Sequence, residues 1–299
     1  MKVFYSPSYA DARFAFDTTR KGRWVAESLI EEPIVGTEVV SPPPLTIEEA
    51  GRTHAPAYVR AVESGHPRQL AESQGFPWDI GLWPAVAASN GGMAAAAVAA
   101  LHEGAAGSLS TGLHHARYGA GHGFCTLNGL VIAARAAHAA GAGNVLILDL
   151  DAHCGGGTAS MITAFDEPMW QLDVSTNRFD DYESTDRCIR HVVEAAERYL
   201  DEIAYGLERA WQAWPKFDLC IYNAGMDPFE KCDRGGLGGI DRAMLAERER
   251  MVFRWCHDHQ LPIAFSLAGG YLGPHLDRGQ LIDLHRLTLG AAAESHCSP

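Results

Sequence analysis

The sequence lacks several features that would assign it at once to a membrane or nucleic-acid-binding class. It has no run of about 18 apolar residues, so we expect no membrane-spanning helix. Its first residues contain no apolar core with a small-residue cleavage site, so we expect no signal peptide. Basic residues are also scarce. The net charge of −13 argues against binding to nucleic acid or to an anionic membrane, and mildly favours cationic substrates.

The cysteines exclude two further classes. There are seven of them, an odd number, at irregular spacing and without a Cys-x-x-Cys pair. This pattern argues against a disulfide scaffold and against a cysteine-based zinc site, and it predicts reduced thiols in a cytoplasmic protein. Cys154 directly follows His153. Because side chains alternate at a strand end, we expect Cys154 to be a small buried residue rather than a ligand.

Apolar runs of strand length alternate with helical patterns along the 299 residues. This alternation predicts an α/β fold with a mostly parallel sheet and helices on both faces. No linker, repeat or low-complexity segment divides the chain, so we predict one domain, residues 1–299. The predicted strands are 1–4, 145–148, 168–174, 217–223 and 262–267. The predicted helical segments are 46–62 with an interruption at 54–56, 85–101, 127–140, 189–214 as one long helix or a pair, 242–259 and 281–292.

The stretch VLILDLDAHCGGGT, residues 145–158, lies at the centre of this pattern. Its apolar part predicts a buried parallel strand, and its polar part then follows the carboxyl end, where open α/β sheets bind ligands. If the strand continues, Asp149, Asp151 and His153 share one face by period-two alternation. The three glycines after Cys154 allow a sharp turn and a close approach to a ligand.

Polar residues also follow other predicted strands. Asp227 comes soon after the strand 217–223, and Tyr271 follows the strand 262–267 in the sequence AGGY. The carboxyl ends of parallel strands meet at one sheet edge, so we expect these residues to converge with Asp151 and His153.

One nitrogen and two carboxylates would then meet, from His153, Asp151 and Asp227. Three protein ligands with open positions are typical of a catalytic zinc site rather than a structural one. Oxygen ligands also suit Fe²⁺, Mn²⁺ or Co²⁺, so the metal stays open at this point. Such an ion activates water and polarises a carbonyl group.

Three further side chains can complete a hydrolytic site. His114 and His115, in GLHHA, can act as general base and general acid. The phenol of Tyr271 can donate a hydrogen bond to a developing oxyanion. Together with the metal ligands, these residues predict a hydrolase that cleaves an amide or ester.

The motifs GLHHA with GFC, DLDAH followed by glycines, AGMD and AGGY occur in this order. They resemble the histone deacetylase superfamily, which includes bacterial deacetylase-like amidohydrolases and acetylpolyamine amidohydrolases. The resemblance extends from about residue 52 to residue 273. It implies the three-layer α/β/α arginase–deacetylase fold. It also implies a zinc-dependent hydrolase that removes acyl groups from a small acylated amine or an acyl-lysine. Assembly into a homo-oligomer stays open.

The resemblance also implies roles for individual residues. Asp149 would orient the first catalytic histidine and, with Ser175, ligate a structural potassium ion. Gly123 and Phe124 would line the acyl-lysine tunnel, with a second aromatic side chain near Phe179. The zinc ligands would be Asp151, His153 and Asp227. His114 and His115 would be the tandem catalytic histidines, and Tyr271 would be the transition-state tyrosine.

Gly156 departs from the family pattern, which usually has His-Gly-Asp/Asn-Gly after the zinc histidine. Here residues 154–157 are CGGG, so glycine replaces the residue that pairs with the second histidine. We therefore expect His115 to lack its orienting partner, and its pKa to be lower than it would be beside a carboxylate. The chain is also short for the superfamily, which predicts a more open site.

Two other functions stay open. The first is an arginase-like ureohydrolase, which would need two manganese ions and a second carboxylate where Gly155 stands. The second is a metal-containing binding protein of the same fold that turns over slowly because His115 has no partner. Within the deacetylase hypothesis, acetylpolyamines are an alternative substrate to protein lysines. The metal content per chain and the hydrolysis of acetyl-amides would separate these hypotheses.

Overall fold

A computed structural model describes residues 1–13 and 17–297. The described strands form one sheet in which every neighbouring pair is parallel. The strands are β1 (Lys2–Phe4), β2 (Glu38–Val40), β3 (Ala105–Ser108), β4 (Val145–Asp149), β5 (Met169–Ser175), β6 (Cys188–Val192), β7 (Leu219–Gly225) and β8 (Ile263–Ala268). Their spatial order is β2-β1-β3-β8-β7-β4-β5-β6. The predicted parallel sheet is confirmed.

Helices cover both faces of this sheet, as the strand–helix alternation predicts. They are α1 (Asp17–Glu31), α2 (Ile47–Thr53), α3 (Pro56–Ser64), α4 (Arg68–Ala71), α5 (Leu82–Glu103), α6 (Gly129–Ala139), α7 (Gly156–Ala164), α8 (Tyr199–Ala213), α9 (Arg242–Asp258) and α10 (Arg278–Cys297). Leu146 and Leu148 of β4 pack with α1, α8, α9 and α10, whereas Val145 and Ile147 pack with α5, α6 and α7. Successive side chains of this fully buried strand point to opposite faces of the sheet and therefore contribute to two apolar cores.

The predicted helix 189–214 is wrong in its first part. Residues Cys188–Val192 form the edge strand β6, which pairs with β5, and the helix α8 begins only at Tyr199. The β-branched residues of this segment are Ile189 and Val192, and β-branched side chains favour a strand over a helix. The helices α1, α4 and α7, the edge strand β2 and the interior strand β3 were not predicted.

One described helix, α5, is long and apolar enough by length and composition to cross a membrane, which the count of consecutive apolar residues does not reveal. It is a core helix by its packing, since 56% of its most apolar window is buried in the protein. Met93 and Ala97 of α5 pack against the sheet and α6.

The strand order determines where the polar loops meet. Strands β8, β7 and β4 are direct neighbours, and all three point the same way. The segments that follow Asp149, Gly225 and Ala268 therefore leave the sheet at one edge. This is the edge at which parallel α/β sheets bind their ligands.

Candidate active site

Asp151, His153 and Asp227 converge at this edge. The strand β4 ends at Asp149, so the predicted continuation of the strand pattern to His153 is wrong. The chain turns instead, and the turn still brings the three side chains together. His153 Nδ1 lies 3.0 Å from Asp151 Oδ1 and 3.1 Å from Asp227 Oδ2. The three ligating atoms all lie within 4.8 Å of one another.

The surroundings of Asp227 fit a divalent cation. Its Oδ1 accepts a hydrogen bond from the amide of Ala152 at 3.0 Å. Its Oδ2 is buried and accepts no hydrogen bond from the described residues, since the contact with His153 lacks hydrogen-bond direction. Burial, and then the charge of Asp151, raise the pKa of Asp227 to about 6. A bound cation would relieve both effects, and this donor set suits Zn²⁺ or Fe²⁺.

His114 lies beside this cluster and pairs with Asp149. Its Nδ1 is 2.8 Å from Asp149 Oδ2, and its Nε2 is 3.7 Å from Asp151 Oδ1. Asp149 is itself held by Asn223, whose Nδ2 donates to Oδ1 at 2.8 Å. Burial lowers the pKa of His114, but the charges of Asp149 and Asp151 outweigh it and raise the pKa to about 10. His114 is therefore the charged histidine of the pair.

His115 has an orienting partner, so the expectation that it lacks one is wrong. Its Nδ1 lies 2.9 Å from Oδ2 of Asp180, in the loop between β5 and β6. A Cβ atom at Gly156 would lie 2.3 Å from the carbonyl oxygen of Asp180. Burial, and then the charge of His114, lower the pKa of His115 to about 4, although Asp180 opposes the shift. The low pKa therefore comes from burial and not from a missing carboxylate.

The glycines of AGGY place Tyr271 over the cluster. Gly269 and Gly270 have φ angles of 53° and 82°, a region that favours glycine. A Cβ at Gly269 would lie 2.2 Å from the carboxylate of Asp227, so only glycine lets the loop cross this ligand. The Tyr271 ring stands nearly perpendicular to that of His153, with centroids 6.5 Å apart. Burial raises the pKa of Tyr271, so its phenol keeps its proton.

Gly123 and Phe179 lie against the catalytic histidines, and Phe124 lines the same pocket; their role in an acyl-lysine tunnel remains a prediction. A Cβ at Gly123 would lie 2.5 Å from the His115 ring, so glycine allows close packing there. The Phe179 ring stands edge-on to His115, with centroids 5.1 Å apart, and to His153 at 5.8 Å. A small pocket is lined by residues that include His114, His115, Gly123, Phe124, Asp151 and Tyr271.

The predicted cation ligands Asp149 and Ser175 are both fully buried. In the described part of the chain the Ser175 hydroxyl donates to Asp173 rather than to Asp149. Asp149 and Asp173 are register partners on β4 and β5, and the role of Asp173 was not predicted. Burial, followed by the charge of Asp149, raises the pKa of Asp173 to about 8. The structural potassium ion remains a prediction.

Other residues near the site gave no signal in the sequence. Lys21 of α1 is fully buried, and its Nζ donates to the carbonyl oxygen of Gly269. The Arg234 guanidinium lies 5.9 Å from the ring centroids of both Phe124 and Tyr271. A lone basic residue in a loop, or one in a helix that was not predicted, cannot be placed from sequence.

Two residues outside the reacting cluster are structural, and for Cys154 this agrees with the prediction that it is buried. Cys154 is buried, and its thiol donates to the carbonyl of Asn177 at 3.3 Å. His54 is also buried: its Nδ1 lies 3.0 Å from the carbonyl oxygen of Arg117, and its Nε2 accepts from the amide of Asn128 at 2.9 Å. Both ring nitrogens of His54 are therefore engaged by backbone groups.

Residues 16–175, more than half of the chain, match the histone deacetylase domain family. An uncharacterized protein of Picosynechococcus sp. is 32% identical over 282 residues, which cover 90% of this chain and 91% of that protein. The chain belongs to the histone deacetylase family. Histone deacetylase 2 of Arabidopsis thaliana is 28% identical to the present chain over 192 residues, which cover 61% of this chain and 48% of that protein.

Solved structures give the same fold for this deacetylase-family chain. The HDA15 HD domain superposes with a TM-score of 0.82 at 18% identity, over 98% of this chain and 89% of that domain. Acetylpolyamine aminohydrolase from Burkholderia pseudomallei gives a TM-score of 0.75 at 17% identity, over 97% of this chain and 98% of that chain. The predicted arginase–deacetylase fold is confirmed.

Proposed function

We propose that this chain is a metal-dependent hydrolase that removes an acyl group from an amine. The observation that carries the proposal is one arrangement of side chains. The triad Asp151, His153 and Asp227 lies beside two histidines, each hydrogen-bonded to a carboxylate of its own. One histidine is held charged and the other neutral. A general acid and a general base next to a metal triad are what amide hydrolysis needs.

A divalent ion on this triad, Zn²⁺ or Fe²⁺, supplies a Lewis acid that polarises the acyl carbonyl and acidifies water. The chain supplies the remaining steps. His115, whose Nδ1–H points to Asp180, keeps the Nε2 lone pair to accept a proton from water. His114, held as imidazolium by Asp149, donates a proton to the leaving amine. The Tyr271 phenol donates a hydrogen bond to the carbonyl oxygen as negative charge develops there.

Two alternatives lose support. A ureohydrolase would need a second carboxylate at position 155. A Cβ there would lie 2.6 Å from Asp149 Oδ2 and 2.9 Å from Gln171 Nε2, so a carboxylate has no room. The slow binding protein was suggested by a His115 without a partner, and Asp180 fills that position.

A structural cation is part of the same proposal. Asp149 and Asp173 are buried carboxylates side by side on adjacent strands, and two such groups need a proton or a cation between them. The family resemblance favours potassium as that cation, with Ser175 close by through its hydrogen bond to Asp173.

Removal of the metal tests the proposal directly. We expect the chelated protein to release no acetate from a peptide containing Nε-acetyl-lysine. Reloading with about one equivalent of Zn²⁺ or Fe²⁺ per chain should restore the release, since three protein ligands define one catalytic site. Acetate release can be measured with a coupled assay, and metal content by mass spectrometry. Full activity without metal, or a requirement for two ions per chain, would contradict the proposal.

The rim of the pocket favours neutral or anionic acyl-amines over polyamines. Arg234 lies over the rings of Phe124 and Tyr271 and forms no ion pair with the carboxylates of the described residues. An exposed guanidinium beside two rings that line the pocket repels a polyammonium chain. This local charge opposes the mild preference for cationic substrates that the net charge of −13 suggests.

We expect Arg234→Glu to change substrate preference toward cations. The ratio of kcat/KM for N-acetylputrescine to that for a neutral acetyl-lysine amide should rise by about tenfold, because a repulsion becomes an attraction. Arg60→Glu, at an exposed position of α3, makes the same change in net charge and serves as the control. An unchanged ratio in Arg234→Glu, or an equal rise in the control, would remove Arg234 from substrate selection.

A further inference from the structure

We propose that Asp180 is the positioning residue of His115, and that position 156 is glycine because a side chain there would displace Asp180. The two positions then form a reciprocal pair, in which only one of them can carry the carboxylate. The catalytic consequence rests on the proposed function. The contacts that carry the inference do not depend on it.

Asp180 is held by more than one group. Its carboxylate is only 2% exposed. Its Oδ2 accepts hydrogen bonds from His115 Nδ1 at 2.9 Å and from the amide of Gly157 at 3.1 Å, and its Oδ1 is paired with the guanidinium of Arg117. A buried carboxylate with this many charge-assisted partners is fixed in place, and so is the ring that it contacts.

The backbone at position 180 has a conformation that favours glycine. Asp180 has a φ of 59°, in the left-handed region where glycine is favoured and other residues are uncommon. Asp tolerates this region better than most residues, but it is still more strained there than glycine. The carboxylate is therefore kept at a position whose backbone alone favours glycine.

Gly156 provides the space. A Cβ at this position would lie 2.3 Å from the carbonyl oxygen of Asp180 and 2.9 Å from its Cγ. The first of these atoms belongs to the backbone, so it cannot move aside by a rotamer change. Any side chain at 156 would thus push the Asp180 loop away from His115.

A metal ion is a weaker explanation for the same cluster. His115, His122 and Asp180 present ligating atoms within 4.8 Å of one another. The guanidinium of Arg117 is already paired with Asp180 Oδ1, and a fixed positive charge opposes a cation at that oxygen. Orientation of His115 explains both the burial of Asp180 and the missing side chain at 156.

A mutant cycle tests the pair, using Asp180→Gly, Gly156→Asp and the double variant. Asp180→Gly should lower kcat by about 10²-fold with little change in KM, because it removes orientation needed in the transition state. Gly156→Asp should also lose activity through the clash. The double variant should exceed each single variant by about tenfold, since glycine at 180 lets the loop carbonyl shift away from the side chain at 156, whose carboxylate can then reach His115.

A second measurement does not need activity. The ¹⁵N shifts of the His115 ring in metal-free protein, assigned with His115→Gln, should show a protonated Nδ1 in the wild type. This tautomer should be lost in Asp180→Gly and restored in the double variant. If Asp180→Gly does not fold, as judged by circular dichroism, Asp180→Ala, which also removes the hydrogen-bond acceptor, takes its place in the kinetics and in the spectra.

An Asp180 variant with kcat within about threefold of wild type and an unchanged His115 tautomer would overturn the inference, since orienting groups are worth more than this. So would a double variant no better than Asp180→Gly. If the wild type hydrolyses no acyl-amide but the tautomer follows Asp180, the proposed function fails and the positioning role stands.

Discussion

Tyr271→Phe should lower kcat by about 10²- to 10³-fold, the cost of removing one oxyanion donor. The KM for the acyl-amine and the metal content should change little, because the ring and the three metal ligands remain. The phenol is well suited to this role, since burial raises its pKa and keeps the hydroxyl protonated. The pair Gly269 and Gly270 fixes its loop across Asp227. Steady-state kinetics on an acetyl-lysine peptide, with metal analysis of the same sample, measures both quantities.

Tyr205→Phe is the matched control for this substitution. Tyr205 lies on α8, is 54% exposed and is not among the residues that line the pocket beside Tyr271. The same loss of a hydroxyl there should leave kcat unchanged. If Tyr271→Phe kept kcat within about threefold of wild type, the phenol would not be the oxyanion donor, because that loss is far below the value of such a donor.

Much of the site could be predicted because the sheet is parallel. Strand ends of a parallel sheet meet at one edge, so polar residues after β4, β7 and β8 had to converge. These residues converge although β4 ends at Asp149, so that the predicted side-chain alternation does not continue to His153. The topology, and not the strand face, brings Asp151 and His153 to Asp227.

Asp180 could not be predicted for a related reason. The motif at Gly156 is local, and taken alone it suggests that His115 has lost its orienting carboxylate. The compensating carboxylate is 65 residues away from His115 in sequence, in an irregular loop whose path no periodic pattern determines. The position of Lys21 in the site could not be predicted for the same reason, since its contact with Gly269 joins residues 248 positions apart. Contacts between loops depend on the packed structure, whereas contacts between strand ends follow from strand order.

The fold prediction was wrong where the apolar pattern did not separate a short strand from the helix that follows it. The segment 189–214 contains a strand, a short connection and a helix, and its apolar residues recur often enough to resemble one helix. Pairing with β6 satisfies backbone groups of β5 that would be unpaired if β5 were the edge strand. That need is a property of the assembled sheet.

Asp151→Ala should abolish metal binding and lower activity by more than about 10³-fold, since three protein ligands are the minimum of a catalytic site of this type. Asp151 contributes more than its own oxygen. It accepts a hydrogen bond from the His153 amide at 2.9 Å and lies 3.0 Å from His153 Nδ1, so its loss also frees the second ligand. Equilibrium dialysis against Zn²⁺, followed by metal analysis, measures the loss without any assay of turnover.

Asp201→Ala, an exposed acidic position at the start of α8, is the control for the change of charge and should bind zinc as the wild type does. Asp151→Asn keeps the shape of the side chain and should also bind poorly, because a neutral amide is a weaker ligand for a divalent ion than a carboxylate. Stoichiometric zinc in Asp151→Ala would show that the ion lies elsewhere. His115, His122 and Asp180 would then be the next ligand group to test, since their ligating atoms also lie within 4.8 Å of one another.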